Sequence, residues 1–298
     1  MDCQVRTPGK TSKHLPNQGR IGFLDQDEHM AGYVFCTCCR NRLGDLQQTL
    51  GVNLARMPKH AVMVVLDYNG ADGAAEWARD NFRNEINGGR LRVYKENTSP
   101  RWFHSHAKNV CHRLATSIAP LADAPSDTVL VNLDADNFLT SDYLAFLTSR
   151  PWARTTNNGH LQMAYPKGGN GGYIGRNAVL ASSFFALGGY DESMIFGYGY
   201  EDVDLVSRAR GAGLKTEHHK IPYEDVIETP VTAKANGNAN GVSLRVSNNA
   251  HRDISNENMT SRRFTANTGR VWGDATVFDD LGHAIRSGLI LSGVQTAA

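Results

Sequence analysis

The chain has 298 residues, of which 41% are hydrophobic, and a formal net charge of +1. That length and apolar content can build a large core, and they exclude a chain that is disordered throughout. The near-zero net charge excludes the strong overall positive charge that is typical of nucleic-acid-binding domains. We expect a polar, flexible N-terminal tail at residues 1–30, one main domain at 31–265 and a C-terminal extension at 266–298 that packs on the domain.

The chain has no apolar stretch near the ~18 residues that a membrane-spanning helix needs, and its polar opening lacks the apolar region of a signal peptide. We therefore expect a cytoplasmic protein with no membrane span. Three of the five cysteines, Cys36, Cys38 and Cys39, crowd one predicted strand. Cys36 and Cys38 share a face of that strand and cannot easily pair, and no second ligand pair follows at a zinc-like spacing. We predict reduced, half-buried thiols.

The first half of the chain alternates short apolar runs with helical patterns, which predicts a mostly parallel sheet flanked by helices. The predicted strands are residues 33–38, 61–67, 91–94 and 128–134. The predicted helices between them are residues 43–57, the stretch around Trp77 and Phe82, and residues 107–118. Ligands of open α/β sheets collect at the carboxyl ends of the strands, where Asp67, Asp134 and Asp136 fall. The sequence therefore predicts a shared pocket at that edge.

The pattern changes after residue 160, where a strand at 161–165 leads into a glycine run at 168–172. Glycines let the backbone approach a ligand closely. The next predicted elements are helices at 179–187 and 202–212 and a strand at 215–221. Residues 233–249, rich in Ala, Asn and Gly, are predicted to form a flexible connection before His251.

Asp134 and Asp136 follow the most apolar predicted strand, and Asp-x-Asp at a strand end is one way to hold a divalent metal. Carboxylates are hard oxygen ligands, and a metal held by few protein groups keeps coordination positions open for diphosphate oxygens. The metal then neutralises the charge that grows on a leaving diphosphate. The alternative is a strand-end turn in which both Asp residues satisfy local backbone donors, and the triplet alone favours that alternative.

Glu201 and Asp202 are adjacent carboxylates at a loop-to-helix junction that is approached by the sequence Gly-Tyr-Gly-Tyr. Acidic residues in the first turn of a helix are also favoured by the macrodipole and by capping. Capping needs neither two adjacent acids nor such an approach, so the pattern favours a pair that handles a substrate. The two acidic clusters predict metal-dependent transfer of a sugar from a nucleotide.

Four segments resemble, in the same order, segments of the animal β-1,4-galactosyltransferase family. They are Arg40-Asn41-Arg42, Asp134-Ala135-Asp136, the series from Gly171-Gly172 through Gly188-Gly189-Tyr190 to Tyr198-Gly199-Tyr200-Glu201-Asp202, and His251-Arg252-Asp253 with Asn256-Glu257-Asn258 and Arg263-Phe264. They span most of residues 33–265. Asp67 resembles instead an acid that contacts the base in the broader, family 2 type of bacterial and viral GT-A transferases.

The resemblance implies a GT-A fold, in which a nucleotide-binding, mostly parallel sheet is flanked by helices and followed by a C-terminal acceptor and lid region. It implies an inverting hexosyltransferase that uses a UDP-sugar donor and Mn²⁺, with Mg²⁺ as the other candidate. The imidazole ligand agrees with Mn²⁺. The segment from His251 to about Thr268 is then a lid that is mobile until metal and donor bind.

The resemblance also implies a role for each matching residue. Asp202 is the general base, and Glu201 contacts the acceptor hydroxyl. Asp136 and His251 are the metal ligands, and Asp134 is a donor or metal contact. The remaining implied donor contacts are Arg40, Asn41, Arg42, Asp67, Gly171, Gly172 and Tyr198.

The identities of both sugars stay open, because Tyr198 stands where the family has a Trp that touches both of them. The transferred sugar is of galactose, N-acetylgalactosamine or glucose type, and the acceptor is a glycan, another hydroxyl-bearing molecule or a modified nucleic acid. One rival function is a sugar-nucleotide pyrophosphorylase, which needs a Gly-rich, Arg- and Lys-bearing phosphate loop that residues 36–42 do not form. The other is a non-catalytic sugar- or nucleotide-binding protein on the same fold, against which the intact acids argue.

Overall fold

The computed structural model describes residues 32–118, 128–149, 160–166, 176–195, 198–221, 226–227 and 242–290. Its strands are β1 Gly32–Cys39, β2 Val62–Tyr68, β3 Leu91–Glu96, β4 Thr128–Leu133, β5 His160–Pro166, β6 Arg176–Leu180, β7 Lys215–Ile221, β8 Thr276–Phe278 and β9 Ala284–Arg286. Its helices are α1 Leu43–Arg56, α2 Ala74–Asn81, α3 Arg83–Asn87, α4 His104–Thr116, α5 Ser141–Thr148, α6 Ala181–Ala186, α7 Glu201–Gly211 and α8 Leu244–Thr260. None of these helices is long and apolar enough to cross a membrane.

All nine described strands belong to one sheet with the order β7-β5-β6-β4-β1-β2-β3-β8-β9. The four central strands, β4, β1, β2 and β3, pair in parallel. The strand β6 runs antiparallel between β4 and β5, and β8 and β9 extend the other edge in antiparallel fashion. The predicted α/β sheet is confirmed. Because its central strands are parallel, their carboxyl ends meet at one edge and bring the loops after β1, β2 and β4 together.

Helices cover both faces of the sheet. On one face, α1 buries Leu46, Leu50 and Leu54, whose spacing of four residues places them on one side of the helix. On the other face, α4 is buried along almost its whole length. Fully burying an aliphatic side chain contributes roughly 1.5–3 kcal/mol, so this layered core fixes the sheet edge firmly. Cys36, Cys38 and Cys39 are free thiols, as predicted, but they are buried rather than half-buried, and Cys111 is a further buried free thiol.

The predicted helix at 179–187 is wrong at its start. Residues 176–180 form the strand β6, and only residues 181–186 are helical. Every residue of β6 is buried, and the strand pairs with β4 on one side and β5 on the other. A short apolar run is compatible with a helix or a buried strand, and the two open strand edges decided in favour of the strand.

The predicted flexible connection is wrong for residues 244–249, which form the first turns of α8. Ser243 caps this helix, since its hydroxyl accepts a hydrogen bond from the Val246 amide over 3.3 Å. The buried face of α8 is polar and consists of Ser247, His251, Ser255 and Asn258. Polar side chains on that face hid the helical period, which is normally recognised from apolar residues. Residues 233–241 lie outside the described parts.

Candidate active site

The loop after β1 lies beside the carboxyl end of β4. Asn41 has a positive φ of 54°, which turns the chain into α1, and Arg42 is the N-cap residue of that helix. Arg42 Nη2 donates to Asp136 Oδ2 over 2.7 Å, and Arg42 Nε contacts Asp45. Arg40 donates to two backbone carbonyls of the loop after β3, over 3.4 and 3.3 Å. The structure therefore brings Arg40, Asn41 and Arg42 to the edge that Asp136 occupies.

Asp134 and Asp136 contact side chains from several parts of the chain. Asn132 Nδ2 donates to Asp134 Oδ1 over 3.0 Å, and Lys108 Nζ lies 3.7 Å from the same oxygen. Asn137 Nδ2 donates to Asp136 Oδ1 over 2.7 Å. The other oxygen of Asp136, Oδ2, accepts the bond from Arg42 in the loop after β1. Two of these contacts join residues far apart in the chain. The alternative of a local strand-end turn, in which both acids satisfy backbone donors, does not account for them.

Glu201 and Asp202 open α7 directly after two residues with positive φ, Gly199 at 91° and Tyr200 at 74°. Asp202 Oδ1 accepts from the Val203 amide over 2.8 Å, which is part of the capping role that the sequence left open. Glu201 differs, because its Oε1 accepts from a side chain of another helix. Its Oε2 is buried, and no other residue of the described chain donates a hydrogen bond to it. Capping therefore explains Asp202 in part and leaves Glu201 unexplained.

The positive wall opposite this pair is formed by α4. Lys108 Nζ lies 2.7 Å from Glu201 Oε1, and His104 Nδ1 lies 3.5 Å from the same oxygen. Burial lowers the pKa of His104 to about 4, so its ring is neutral at pH 7. Burial also disfavours the charge on Lys108, but Asp134 and Glu201 outweigh it and raise the pKa of Lys108. Lys108 is therefore a permanent cation between two carboxylates.

The pKa values of Glu201 and Asp202 shift in opposite directions. Burial by itself raises the pKa of Glu201, but the positive charges of His104, when protonated, and of Lys108 lower it to about 2. Since His104 is neutral at pH 7, Lys108 supplies that charge. Burial and the negative charge of Glu201 raise the pKa of Asp202 to about 7. The pair thus combines an ionised carboxylate with a neighbour that takes up a proton near neutral pH.

Tyr198 and His251 connect the acidic pair to α8. Ser247 Oγ accepts from the Tyr198 amide over 3.0 Å and donates to the Tyr198 carbonyl over 2.8 Å. The Tyr198 ring stacks on His104 with the centroids 4.9 Å apart. His251 is 1% exposed, and its Nδ1 lies 2.7 Å from the carbonyl oxygen of Gly199. That contact requires the proton on Nδ1, so Nε2 has the lone pair in the neutral ring.

The charges of the predicted metal ligands act on Tyr198 and His104. After burial, the charges of Asp134 and Asp136 help to raise the pKa of Tyr198, and the charge of His251 helps to lower that of His104. Among the described residues, no three His, Cys, Asp or Glu side chains are arranged to hold a metal by themselves. Two carboxylates and an imidazole are donors that suit Mn²⁺. A metal held by these residues would keep coordination positions open for oxygens of a ligand.

The other predicted donor contacts are placed less favourably. Asp67 is fully buried, and its carboxylate accepts from the amides of Gly70 over 2.8 Å and Ala75 over 3.4 Å. It shapes the loop after β2, and its position gives no support to a direct contact with a base. Gly171 and Gly172 lie outside the described residues.

A cavity of about 240 Å³ opens at the same edge, beside β2 and the start of α4. Phe103, Ser99 and Tyr68 contribute to its wall, and Arg270 lies at another side of it. The carbonyl of Ser99 is one of the acceptors of Arg40, so the cavity adjoins the loop after β1. An aromatic face with hydroxyl and guanidinium groups nearby is suited to a flat, polar ring.

The sequence patterns do not predict His104 and Lys108. The apolar stripe of the predicted helix at 107–118 describes only part of α4. His104, Lys108 and His112 are spaced by four residues, and all three are buried. Three polar residues on one side of a helix are the signal that was available, but it does not show which acids they face.

No protein-family model and no curated protein sequence matches the chain. Solved structures that it is similar to include the mannosyltransferase PcManGT from Pyrobaculum calidifontis in complex with GDP-Man and Mn²⁺, at 17% identity and a TM-score of 0.49. The likeness covers 66% of this chain and 56% of that one, so the chain spans little more than half of the length of that mannosyltransferase.

Two further similar structures come from other organisms. TarS of S. aureus in complex with UDP has 14% identity and a TM-score of 0.44, with 79% of this chain and 72% of that one covered. A mutant of Drosophila β-1,4-galactosyltransferase 7 in complex with manganese, UDP-Gal and xylobiose has 16% identity and a TM-score of 0.45, with 69% and 74% covered. At these identities and TM-scores we derive no residue role from them.

Proposed function

We propose that this protein is an inverting glycosyltransferase that moves a sugar from a UDP-sugar to an acceptor hydroxyl. The observation behind the proposal is the carboxyl pair of α7, in which Asp202 has a pKa of about 7 beside an ionised Glu201. A pyrophosphorylase needs no such pair, because its nucleophile is a phosphate oxygen that has no proton to lose. An acceptor hydroxyl must lose one, and a base with a pKa near the working pH does this best.

The chemistry follows from the position of each group. Asp202 takes the proton of the reacting acceptor hydroxyl, and Glu201 Oε2 orients the acceptor by accepting a hydrogen bond from a second hydroxyl of the same molecule. The acceptor oxygen then forms a bond to the anomeric carbon, while the bond from that carbon to the diphosphate breaks and its electron pair leaves with UDP. A single displacement from the opposite face inverts the anomeric centre. Arg42, at the edge of the sheet, stabilises the departing diphosphate.

We infer that a divalent metal takes part, with Asp136 and His251 as ligands and Asp134 as a further contact. When bound, Mn²⁺ supplies positive charge that neutralises the diphosphate. The orientation of His251 supports this role, because its Nδ1–H is directed at a backbone carbonyl, a common arrangement in histidine ligands. One oxygen of Asp136 already accepts a hydrogen bond from Arg42, so fewer protein oxygens are left to bind the metal. In this proposal the oxygens of the donor diphosphate complete the coordination of the metal.

The nucleoside end of the donor fits the cavity beside Phe103. The cavity adjoins Arg40, and its aromatic and hydroxyl groups suit a base or a ribose. In this proposal the diphosphate extends from the base toward Arg42 and Asp136, and the sugar lies before α7. This placement uses Arg40, Asn41 and Arg42 as the resemblance implies and leaves Asp67 as a support of the loop.

The deciding experiment is a screen of UDP- and GDP-sugars with Mn²⁺, Mg²⁺ or EDTA, in which release of the nucleotide and the melting temperature are both measured. We expect one UDP-sugar to be hydrolysed slowly in Mn²⁺ and to stabilise the fold. A ligand at about 100 times its dissociation constant stabilises by ~2.7 kcal/mol. No turnover and no shift with any sugar nucleotide would refute the proposal, and equal UDP affinity in EDTA and Mn²⁺ would remove the metal from it.

A further inference from the structure

Lys108 lies where three elements of the site meet. Its side chain is 1% exposed, and its Nζ lies 2.7 Å from Glu201 Oε1 on α7 and 3.7 Å from Asp134 Oδ1 after β4. The third side is closed by the ring of Tyr190, whose centroid is 5.3 Å from Nζ. An ammonium group has three hydrogens and no lone pair, so it can serve both carboxylates at once.

We propose that Lys108 is a positioning residue that orients Glu201 toward the acceptor hydroxyl, with Asp134 anchoring the ammonium group from the other side. The inference rests on the proposed glycosyl transfer. Lys108 Nζ donates a hydrogen bond to Oε1 of Glu201. Oε2 is buried, and no other residue of the described chain donates a hydrogen bond to it. That oxygen is the one left for a substrate hydroxyl.

Lys108 can position Glu201 because hydrogen bonds hold α4 firmly in place. Asn109, next to Lys108, donates to the Tyr190 carbonyl over 2.9 Å and accepts from the Tyr190 amide over 2.8 Å. These bonds fasten α4 to the turn that precedes α7. A group held on a buried helix is placed more precisely than one on a loop. Lys108 therefore presents its Nζ at one point to both acidic segments.

Removal of the ammonium group leaves the buried carboxylate of Glu201 and the partly exposed one of Asp134 without the cation between them. Glu201 then loses the bond that sets its rotamer, and repulsion favours turning its carboxylate away. The acceptor loses a partner, whereas on the donor side only Asp134 loses a contact and Arg42 keeps its bond to Asp136. A purely structural ion pair has a different consequence, because its loss affects folding and every step of the reaction together.

The test compares transfer by the wild-type protein, Lys108→Met, Glu201→Gln and the double variant. Lys215→Met, which removes an exposed lysine of β7, is the control for loss of a positive charge. We expect Lys108→Met to lower kcat for transfer about 100-fold, with KM for the nucleotide sugar and UDP affinity changed less than about threefold. The double variant should be as fast as Glu201→Gln alone, because Lys108 then has no ionised Glu201 to orient.

Several results would overturn the inference. One is wild-type kcat in Lys108→Met, and another is a double variant whose loss equals the product of the two single losses. If Lys108→Met does not fold, Lys108→Arg and the double variant decide, since neither leaves Glu201 as a lone buried charge. Wild-type transfer by a folded Lys108→Arg shows that charge without position suffices. Absence of turnover in the wild-type protein refutes the proposed function instead.

Discussion

Helix α7 has two buried ion pairs that differ in how their carboxylates are satisfied. Asp204 and Arg208 are both fully buried, and Arg208 Nε donates to Asp204 Oδ2 over 2.6 Å. Arg208 also donates to two backbone carbonyls of the turn after α6, and Asn258 of α8 donates to Asp204 Oδ1. Glu201 is held by Lys108 through one oxygen, and no other residue of the described chain donates to the second.

The difference is the one expected between a structural ion pair and one that acts on a substrate, as we propose for Glu201. Burial of a charge is costly, and that cost is offset when the buried polar atoms find partners, as each side-chain nitrogen of Arg208 and both oxygens of Asp204 do. Glu201 Oε2, which is buried and receives no hydrogen bond from another described residue, and Asp202, whose pKa is raised, lack that compensation. Groups that destabilise the fold in this way are typical of sites that act on a ligand. The Asp204–Arg208 pair, called the closed pair below, fastens α7 to α8 through Asn258. It thereby supports the Glu201–Lys108 pair at the start of α7.

The largest effect is expected from breaking the closed pair. Arg208→Met leaves Asp204 buried without its cation, and we expect a loss of about 3–5 kcal/mol in the free energy of unfolding. Urea denaturation followed by circular dichroism measures it. Arg210→Met, which changes an exposed residue of the same helix, is the control and should cost less than about 1 kcal/mol. Equal stability of both variants would contradict the structural role of the pair.

Removal of the proton acceptor should affect the reaction and spare the fold. We expect Asp202→Asn to slow transfer about 10²- to 10⁴-fold, or roughly 3–5 kcal/mol of barrier, with UDP affinity unchanged. Transfer rate, UDP binding and melting temperature are measured on the same sample. Asp142→Asn, in the first turn of α5, is the matched control for a helix-terminal acid. Near-normal transfer would return Asp202 to a capping role alone.

The two adjacent carboxyl groups, Glu201 and Asp202, should also produce a pH dependence. The charged groups that face Asp202 are Glu201, Lys108 and Asp134, and the pKa of about 7 predicts that kcat rises with pH through neutrality, as Asp202 becomes the base. Its raised pKa contributes stability that is present at low pH and is lost as pH rises through 7. We therefore expect Asp202→Asn to gain melting temperature relative to wild type at pH 8, and that gain to shrink as pH falls from 7 and to vanish near pH 4. A pH-independent difference would contradict the assignment.

The smallest effect is expected at the connection between the site and α8. His251→Ala should weaken the Mn²⁺ dependence of UDP binding by about tenfold or more, while the closed pair keeps α8 in place. Calorimetry with and without Mn²⁺ measures the shift, and His218→Ala on β7 is the control for loss of a histidine. An unchanged Mn²⁺ titration would show that His251 only fastens the loop at Gly199.

The elements most accessible from the sequence were those whose pattern is local. The strands β1 to β4 and the helices between them follow from alternating apolar runs and from leucines at spacings of three and four, and the structure confirms them. The strand β6 and the start of α8 were not recognised. β6 was decided by two neighbouring strands, and α8 by a polar face that packs on α7.

For the site, the sequence determined which acids stand at the strand ends and at the start of α7, because those positions depend on local pattern and on the geometry of parallel strands. It did not determine how the acids differ. Only the tertiary structure brought Lys108 of α4 to Glu201 and Asp134. It also surrounded the Asp204–Arg208 ion pair with partners from other elements. The physical reason is that a pKa depends on burial and on nearby charges, and both are set by which distant elements pack together.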